Sequence, residues 1–353
     1  MRYKLLGRTG LRVSEICLGT MTFGEDWGWG ASKDESRRIL DYFLDAGGNF
    51  VDTANLYTNG TSESFLGEFL QGRRERVVLA TKYTNAMPGT DPNAGGNQRK
   101  NMMRSVEASL KRLQTDYIDL YWLHIWDFLT PVDEVMRAFD DFVRAGKVLY
   151  AGISDAPAWV VSRANTMAEL RGWTPFAGLQ VEYSLVERTP ERELLPMADS
   201  MEIAVTAWSP LAGGLLTGKY SGGQQQAAQG GGGRYDNAMM KDFAPIDDRK
   251  LRIAEAVKAV AQEVGRSPAQ VALAWLLRRP FRVPVIPIVG ARKLNQVEDN
   301  LACVQVHLSG DHLGRLEEVS GIQLGFPHDF YGVEMVRNFA YGGMRDRIDA
   351  RAR

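Results

Sequence analysis

GTMTFGEDWGWG, residues 19–30, follows the first apolar run of the chain and decides between two folds. The sequence alternates short apolar runs with longer amphipathic stretches. The runs lie at 15–18 (EICL), 49–52 (NFVD), 77–82 (VVLATK), 118–123 (IDLYWL), 148–153 (VLYAGI), 178–182 (GLQVE), 203–208 (IAVTAW) and 285–289 (VIPIV). Helix-like patterns separate them at 34–45, 99–113, 132–145, 156–170 and 294–302. Eight strands, most followed by a helix, predict βα units on a parallel sheet. An open, doubly wound sheet would usually carry G-x-G-x-x-G between its first strand and helix. The glycines at 19, 24, 28 and 30 have the wrong spacing for that. A closed barrel takes about 250 residues or more, and 353 residues allow one with insertions. The reading is an α/β fold, a (β/α)8 TIM barrel, with residues 1–353 forming one domain.

Three features sit outside the barrel pattern. Residues 3–13, with Gly7 and Gly10 around a turn, predict an N-terminal hairpin before the first barrel strand. Residues 221–248 are low-complexity, rich in Gln and Gly, and predict a long mobile loop after strand seven. The tail, 321–353, is rich in Arg and aromatics without clear periodicity, and is expected to wrap the barrel or cover its mouth.

Composition excludes several functions. Hydrophobic residues make up 44% and charged residues 24%, and the formal charge is −1. Such a balance gives no electrostatic case for nucleic acid or an acidic surface. No segment approaches a membrane span, and MRYKLLGRTGLRVSE lacks the apolar core of a signal peptide. Cys17 and Cys303 are far apart and form no CxxC, which suits a reducing cytoplasm. The histidines at 307, 312 and 328 lie away from strand ends, in no metal-binding spacing, so no metal is expected.

Chemistry in a barrel collects where strands end. Strand two ends in Asp52, strand three in Lys82 and strand four in His124. Strand five ends in Ser154-Asp155, strand six carries Gln180 and Glu182, strand seven ends in Trp208-Ser209 and strand eight in Gly290-Ala291-Arg292. A buried carboxylate is costly unless it is paired, and Lys82 on the neighbouring strand would offset that cost for Asp52. Tyr57 follows Asp52 by five residues, before a turn at Asn59-Gly60. A phenol is protonated at neutral pH. A lysine ammonium beside it favours the phenolate, bringing a general acid closer to working pH. His124 would orient a substrate oxygen. Trp27, Trp29 and Trp126 follow strands one and four and either line an apolar pocket, the preferred reading, or simply pack.

These elements, with LGTMTFG, GGNFVDTANLYTNGTSESFLG, ATKY, IDLYWLH, AGISD, AWSPLAGGLLTGKY and PIVGARKLNQVEDNL, resemble the aldo-keto reductases over nearly the whole chain. The likeness is to a bacterial type related to the potassium-channel β-subunit branch. It implies a (β/α)8 barrel reducing aldehydes and ketones with NADP(H), and a catalytic tetrad at Asp52, Tyr57, Lys82 and His124. It implies nicotinamide contacts at Ser154, Asp155, Gln180 and Trp208. Phosphate and adenosine contacts map to Ser209, Leu211, Gly213, Lys219, Gly290, Arg292, Gln296 and Asn300. Gly19, Thr20, Met21 and Asp52 would also lie along the cofactor.

The sequence departs from the family twice. Asp155 stands where Asn is usual, and an ionised carboxylate only accepts hydrogen bonds. Trp208 stands where Tyr is frequent, which keeps an aromatic face. Two other functions compete with reduction: a Schiff-base aldolase using Lys82 as nucleophile, and a regulatory or binding subunit on the same fold. The implied partner is a small-molecule carbonyl substrate, its identity and the oligomeric state being unread.

Overall fold

The computed structural model describes residues 1–87, 89–219 and 246–349. Two antiparallel strands open the chain, β1 (Tyr3–Leu5) and β2 (Arg12–Ser14). They form the expected hairpin. It plugs the amino end of the barrel, where Leu6 and Val13 are buried against Cys17, Phe50 and Val78. Gly7 takes φ 57°, and a Cβ there would lie 2.5 Å from the Glu202 carbonyl oxygen. Only glycine allows that approach.

Eight parallel strands then close into a barrel: β3 (Cys17–Gly19), β4 (Phe50–Asp52), β5 (Val78–Tyr83), β6 (Ile118–Leu123), β7 (Val148–Ser154), β8 (Phe176–Glu182), β9 (Ala204–Trp208) and β10 (Val285–Gly290). The strand β10 pairs with β3 at Gly290 and Gly19, which seals the ring. Helices cover the outside, among them Lys33–Asp45, Arg99–Leu113, Val132–Arg144, Ala158–Arg171 and Leu294–Leu301. All five stand on stretches that the sequence marks as helical.

The core has two layers. One lies between strands and helices and includes Leu79, Tyr83, Tyr121, Phe139 and Val205. The other fills the barrel with Phe50, Ala80, Leu120, Trp122, Ile286 and Ile288. Side chains on a strand alternate between the two. Trp122 spans the interior because its neighbours are small. A Cβ on Gly152 would lie 2.2 Å from the indole, and one on Gly178 2.8 Å.

The segment read as a mobile loop, 221–248, falls almost wholly outside the described residues. At its end the expectation needs correcting: Asp248 opens a helix, Asp248–Val264, because the Asp247 carboxylate accepts from Lys250 N at 2.8 Å and caps it. The tail has local structure that the sequence does not announce. Among its described residues it forms two short α-helices, His328–Gly332 and Glu334–Ala340, and a 3-10 turn, Arg345–Arg347. Helices of one or two turns are too short to show a period in sequence. The tail is tied to the connection after β8, by Arg192 to the Gln323 carbonyl at 2.9 Å and by His328 to Glu193 at 3.1 Å. Its aromatics, such as Phe326 and Phe339, stay exposed. No helix among the described residues is long and apolar enough to cross a membrane.

Candidate active site at the carboxyl end of the barrel

Period-two alternation aims the site residues inward. On β5, Val78 and Ala80 belong to the interior layer, Leu79 and Tyr83 to the outer one. Lys82 is next in the inward series. On β4 the inward residues are Phe50 and Asp52; on β6 they are Leu120 and Trp122, and His124 continues the series one step past the strand. Gln180 on β8 and Ser154 on β7 are buried in the same upper layer and pair in register.

Lys82 is fully buried and its ammonium meets three acceptors. Nζ donates to Asp52 Oδ2, to the Thr53 carbonyl at 2.9 Å and to Tyr57 Oη at 3.2 Å. All three of its hydrogens are thereby engaged. Burial opposes the charge on Lys82, but Asp52 and Tyr57 outweigh it and hold the amine above the ordinary lysine range. Burial likewise pushes the Asp52 carboxyl up, against the pull of Lys82 and of the Gln180 amide, which donates to Asp52 Oδ1 at 3.2 Å. The pair is a buried, hydrogen-bonded zwitterion.

Tyr57 is half-buried beside this pair, its ring centroid 4.8 Å from Nζ. A strained turn holds it there. Thr58 and Asn59 take φ of 46° and 57°, and Gly60 94°. Positive φ is unusual for a β-branched residue. The Thr58 hydroxyl, donating to the Phe23 carbonyl at 2.6 Å, fixes it. The His124 ring packs edge-on to Tyr57, centroids 6.0 Å apart. Surrounding protein, and then the Lys82 charge, lower its pKa to about 3, so the imidazole is neutral.

The residues expected along a cofactor fall into three groups. The first lines the mouth. Ser154 Oγ is buried and, among the described residues, makes no well-formed hydrogen bond, although the hydroxyl helps hold the neighbouring Asp155 carboxyl down. Asp155, at φ 43°, accepts from the Trp208 indole Nε1 at 3.0 Å. Neighbouring protein raises the Asp155 carboxyl to about 6, while the indole and Lys82 pull it back. The side chain keeps solvent access, which screens part of this shift. The second group is the turn after β9, where Ser209, Ala212, Gly213 and Gly214 all take positive φ. Leu211 starts that turn by accepting from Gly214 N at 3.0 Å, and Lys219 is exposed beyond it. The third follows β10. Gln296 Oε1 accepts from the backbone N of Arg292 at 2.8 Å and of Lys293 at 3.3 Å, capping Leu294–Leu301. Asn300 is buried in the same helix. Gly19 is buried, and Met21 follows half-buried. Thr20 Oγ1 donates to the Asp52 carbonyl at 3.0 Å, so its hydroxyl joins β3 to β4.

The three tryptophans divide. Trp27 and Trp29 lie 6.1 Å apart, and Trp27 stands edge-on to Tyr57 at 6.5 Å. Trp126 is buried and lines a groove with Phe128, Leu129 and Trp159. Two groups in contact with the tetrad escaped the sequence: the Thr53 carbonyl, which no side-chain pattern reports, and Asn85, whose Nδ2 lies 3.2 Å from His124 Nδ1. Among the described residues no cluster of three His, Cys, Asp or Glu could hold a metal ion.

A parallel barrel with its ionisable groups gathered at the carboxyl mouth has the architecture of a barrel enzyme. The model of the aldo/keto reductase family matches residues 15–320, and the chain belongs to that family. It is thus an oxidoreductase of the carbonyl-reducing class. It is 39% identical to norsolorinic acid reductase stcV of Emericella nidulans, over 91% of this chain and 82% of that one. It is 36% identical to an aryl-alcohol dehydrogenase [NADP(+)] of Phanerodontia chrysosporium, over 92% and 86%. It is 42% identical to the uncharacterized oxidoreductase YrpG of Bacillus subtilis, over 90% and 96%.

Proposed function

We propose that this chain reduces the carbonyl group of aryl aldehydes or ketones to the alcohol with NADPH, and that Tyr57 is the proton donor. One observation carries the reading: the Lys82 ammonium, locked by Asp52, donates to Tyr57 Oη at 3.2 Å. That contact stabilises the negative charge left on the phenol oxygen as its proton moves to the carbonyl oxygen. General acid catalysis of this kind contributes about 10²- to 10⁴-fold. His124, neutral beside Tyr57, orients the same oxygen. Asp52 and the Thr53 carbonyl keep Lys82 from turning away.

NADPH, when bound, supplies the hydride to the carbonyl carbon. The residues present fit such a group. Ser154 Oγ is a buried hydroxyl that makes no well-formed hydrogen bond among the described residues, which leaves it able to bond a carboxamide. Gly290 leaves open backbone, its nearest foreign atom to a Cβ being the Gly19 oxygen at 3.8 Å. Ser154, Asp155, Gln180 and Trp208 would hold the nicotinamide end. Ser209, Leu211 and Gly213 would hold the pyrophosphate, with Gly19, Thr20 and Met21 alongside, and Lys219, Gly290, Arg292, Gln296 and Asn300 the adenosine end. The substrate reading rests on Trp27 and Trp29 beside Tyr57, and on the relative named an aryl-alcohol dehydrogenase [NADP(+)].

The aldolase alternative is disfavoured. A Schiff-base nucleophile needs a neutral amine, and Lys82 is held charged with every hydrogen engaged. Turnover of benzaldehyde-type substrates, followed as NADPH absorbance, tests the reading directly. Tyr57→Phe should lower kcat by about 10²- to 10⁴-fold and leave NADPH binding near that of the native enzyme. Near-native turnover in this variant would overturn the role of Tyr57.

A further inference from the structure

A neutral imidazole carries one N–H, and which nitrogen carries it decides what the ring can do. With the hydrogen on Nε2 and the lone pair on Nδ1, the ring donates from Nε2. With the hydrogen on Nδ1, Nε2 can only accept. The partner of Nδ1 therefore sets the chemistry of the other nitrogen.

In this chain that partner is Asn85 Nδ2, at 3.2 Å. An amide nitrogen only donates. The contact requires a lone pair on Nδ1 and so places the hydrogen on Nε2. Asn85 is well braced for the task. It lies just past β5, where Thr84 takes φ 98° and turns the chain sharply out of the strand. Thr84 is fixed in that conformation. Its carbonyl accepts from Gly96 N at 2.9 Å, and its hydroxyl oxygen from Asn97 Nδ2 at 2.9 Å and His124 N at 3.3 Å. On the other side the Asn85 carbonyl accepts from Asn55 Nδ2 at 3.2 Å. The segment bearing Asn85 is thus tied to the same backbone that carries His124.

We infer that Asn85 is a positioning residue that holds His124 in its Nε2–H tautomer, so that the ring faces a substrate oxygen as a hydrogen-bond donor. The inference deepens the proposed reductase reading and rests on it for the role of His124. The tautomer itself can be observed without turnover.

The test uses the full chain labelled with ¹⁵N-histidine. Only four histidines are present, and comparison with His124→Gln assigns the signals of His124. A long-range ¹H–¹⁵N spectrum at neutral pH should show Nε2–H and a bare Nδ1 in the native protein. Asn85→Asp has nearly the same shape but presents only acceptors, so it should move the hydrogen to Nδ1. Its kcat for an aryl aldehyde should fall by at least tenfold. Asn85→Ala leaves the tautomer unfixed and should show mixed signals with a loss of about two- to tenfold, the share of one neutral hydrogen bond. Unchanged signals from the other three histidines would show that each variant is folded. Nδ1–H in the native protein, or the same tautomer in native and Asn85→Asp proteins, would overturn the inference. A tautomer switch with unchanged turnover would support the positioning role and overturn the proposed part of His124 in reduction.

Discussion

Replacing Asp52 by Asn tests whether the buried zwitterion is a unit. Lys82 is fully buried and Asp52 only 2% exposed. Asn keeps the shape but removes the charge that compensates Lys82. It also leaves one oxygen where two are used, because Lys82 donates to Oδ2 and Gln180 to Oδ1. The new amide NH₂ therefore faces a donor. Breaking one side of a buried pair costs about 3–5 kcal/mol, and the unmatched donor keeps the estimate within that range. The sign of the pH dependence follows. In the native chain Lys82 is held above its unfolded value, so its contribution is present at neutral pH and lost only in strong alkali. In Asp52→Asn only Tyr57 and the Thr53 carbonyl are left to oppose burial, and the lysine falls below its unfolded value. The folded state then binds fewer protons than the unfolded one, and stability rises with pH up to the ordinary lysine range. Urea unfolding at pH 6, 7.5 and 9 should show a variant whose stability rises with pH relative to the native chain, since His124, held neutral in both folded proteins, gives them a common slope that cancels in the difference. Asp52→Asn/Lys82→Met removes the stranded charge and should recover most of the lost stability. Its turnover should be no worse than that of the poorer single variant. A loss under about 1 kcal/mol, set against the 3–5 expected, or a double variant no more stable than Asp52→Asn, would refute the account.

Arg292 sits where Leu294–Leu301 begins, its backbone pinned by Gln296. A charge-assisted hydrogen bond to a 2′-phosphate contributes about 1.5–3 kcal/mol, so Arg292→Ala should raise the Kd for NADPH roughly ten- to a hundredfold and spare NADH. Equal weakening of both would assign Arg292 to the loop alone. Trp208→Ala should raise the NADPH Kd by about two- to tenfold, the worth of one aromatic contact. Trp208→Tyr should be milder, and Asp155→Asn should matter less in the Tyr variant than in the Trp parent, because the indole N–H that needs the carboxylate is gone. Titration calorimetry on the four proteins checks this, and strict additivity would count against the pairing. Gly152→Ala drives a Cβ to 2.2 Å from the Trp122 indole and should lose more stability than Gly178→Ala, at 2.8 Å. Overpacking typically costs about 1–3 kcal/mol, and equal losses in thermal unfolding would show that Trp122 moves freely.

What the sequence reveals of this fold depends on how far each signal repeats. The barrel is legible because one pattern, an apolar run and then an amphipathic stretch, recurs around the ring. The strand ends shift by a residue or two at most, since burial on both faces blurs where a strand stops. The tail helices are invisible because a five- or seven-residue helix completes too few turns to display a face. The stretch 221–248 shows the opposite failure. Its composition reads as loop to the end, yet Asp247 caps a helix there through a single side-chain bond.

The site divides along the same line. Asp52 and Lys82 could be paired from sequence because period-two alternation puts both inside adjacent strands. Tyr57 follows from its distance to Asp52. Asn85 could not be found that way, since its contact with His124 depends on the positive φ of Thr84, and a threonine gives no warning of that conformation. The two departures from the family pattern are instructive in a different way. Taken separately, Asp155 loses a donor and Trp208 changes a ring. In the structure they are one feature: Trp208 brings an N–H that a tyrosine lacks at that point, and Asp155 accepts it at 3.0 Å. A carboxylate is the stronger acceptor for that hydrogen. The substitution that weakens the expected carboxamide contact therefore anchors the aromatic face beside it, and the two positions must be varied together to learn what either does.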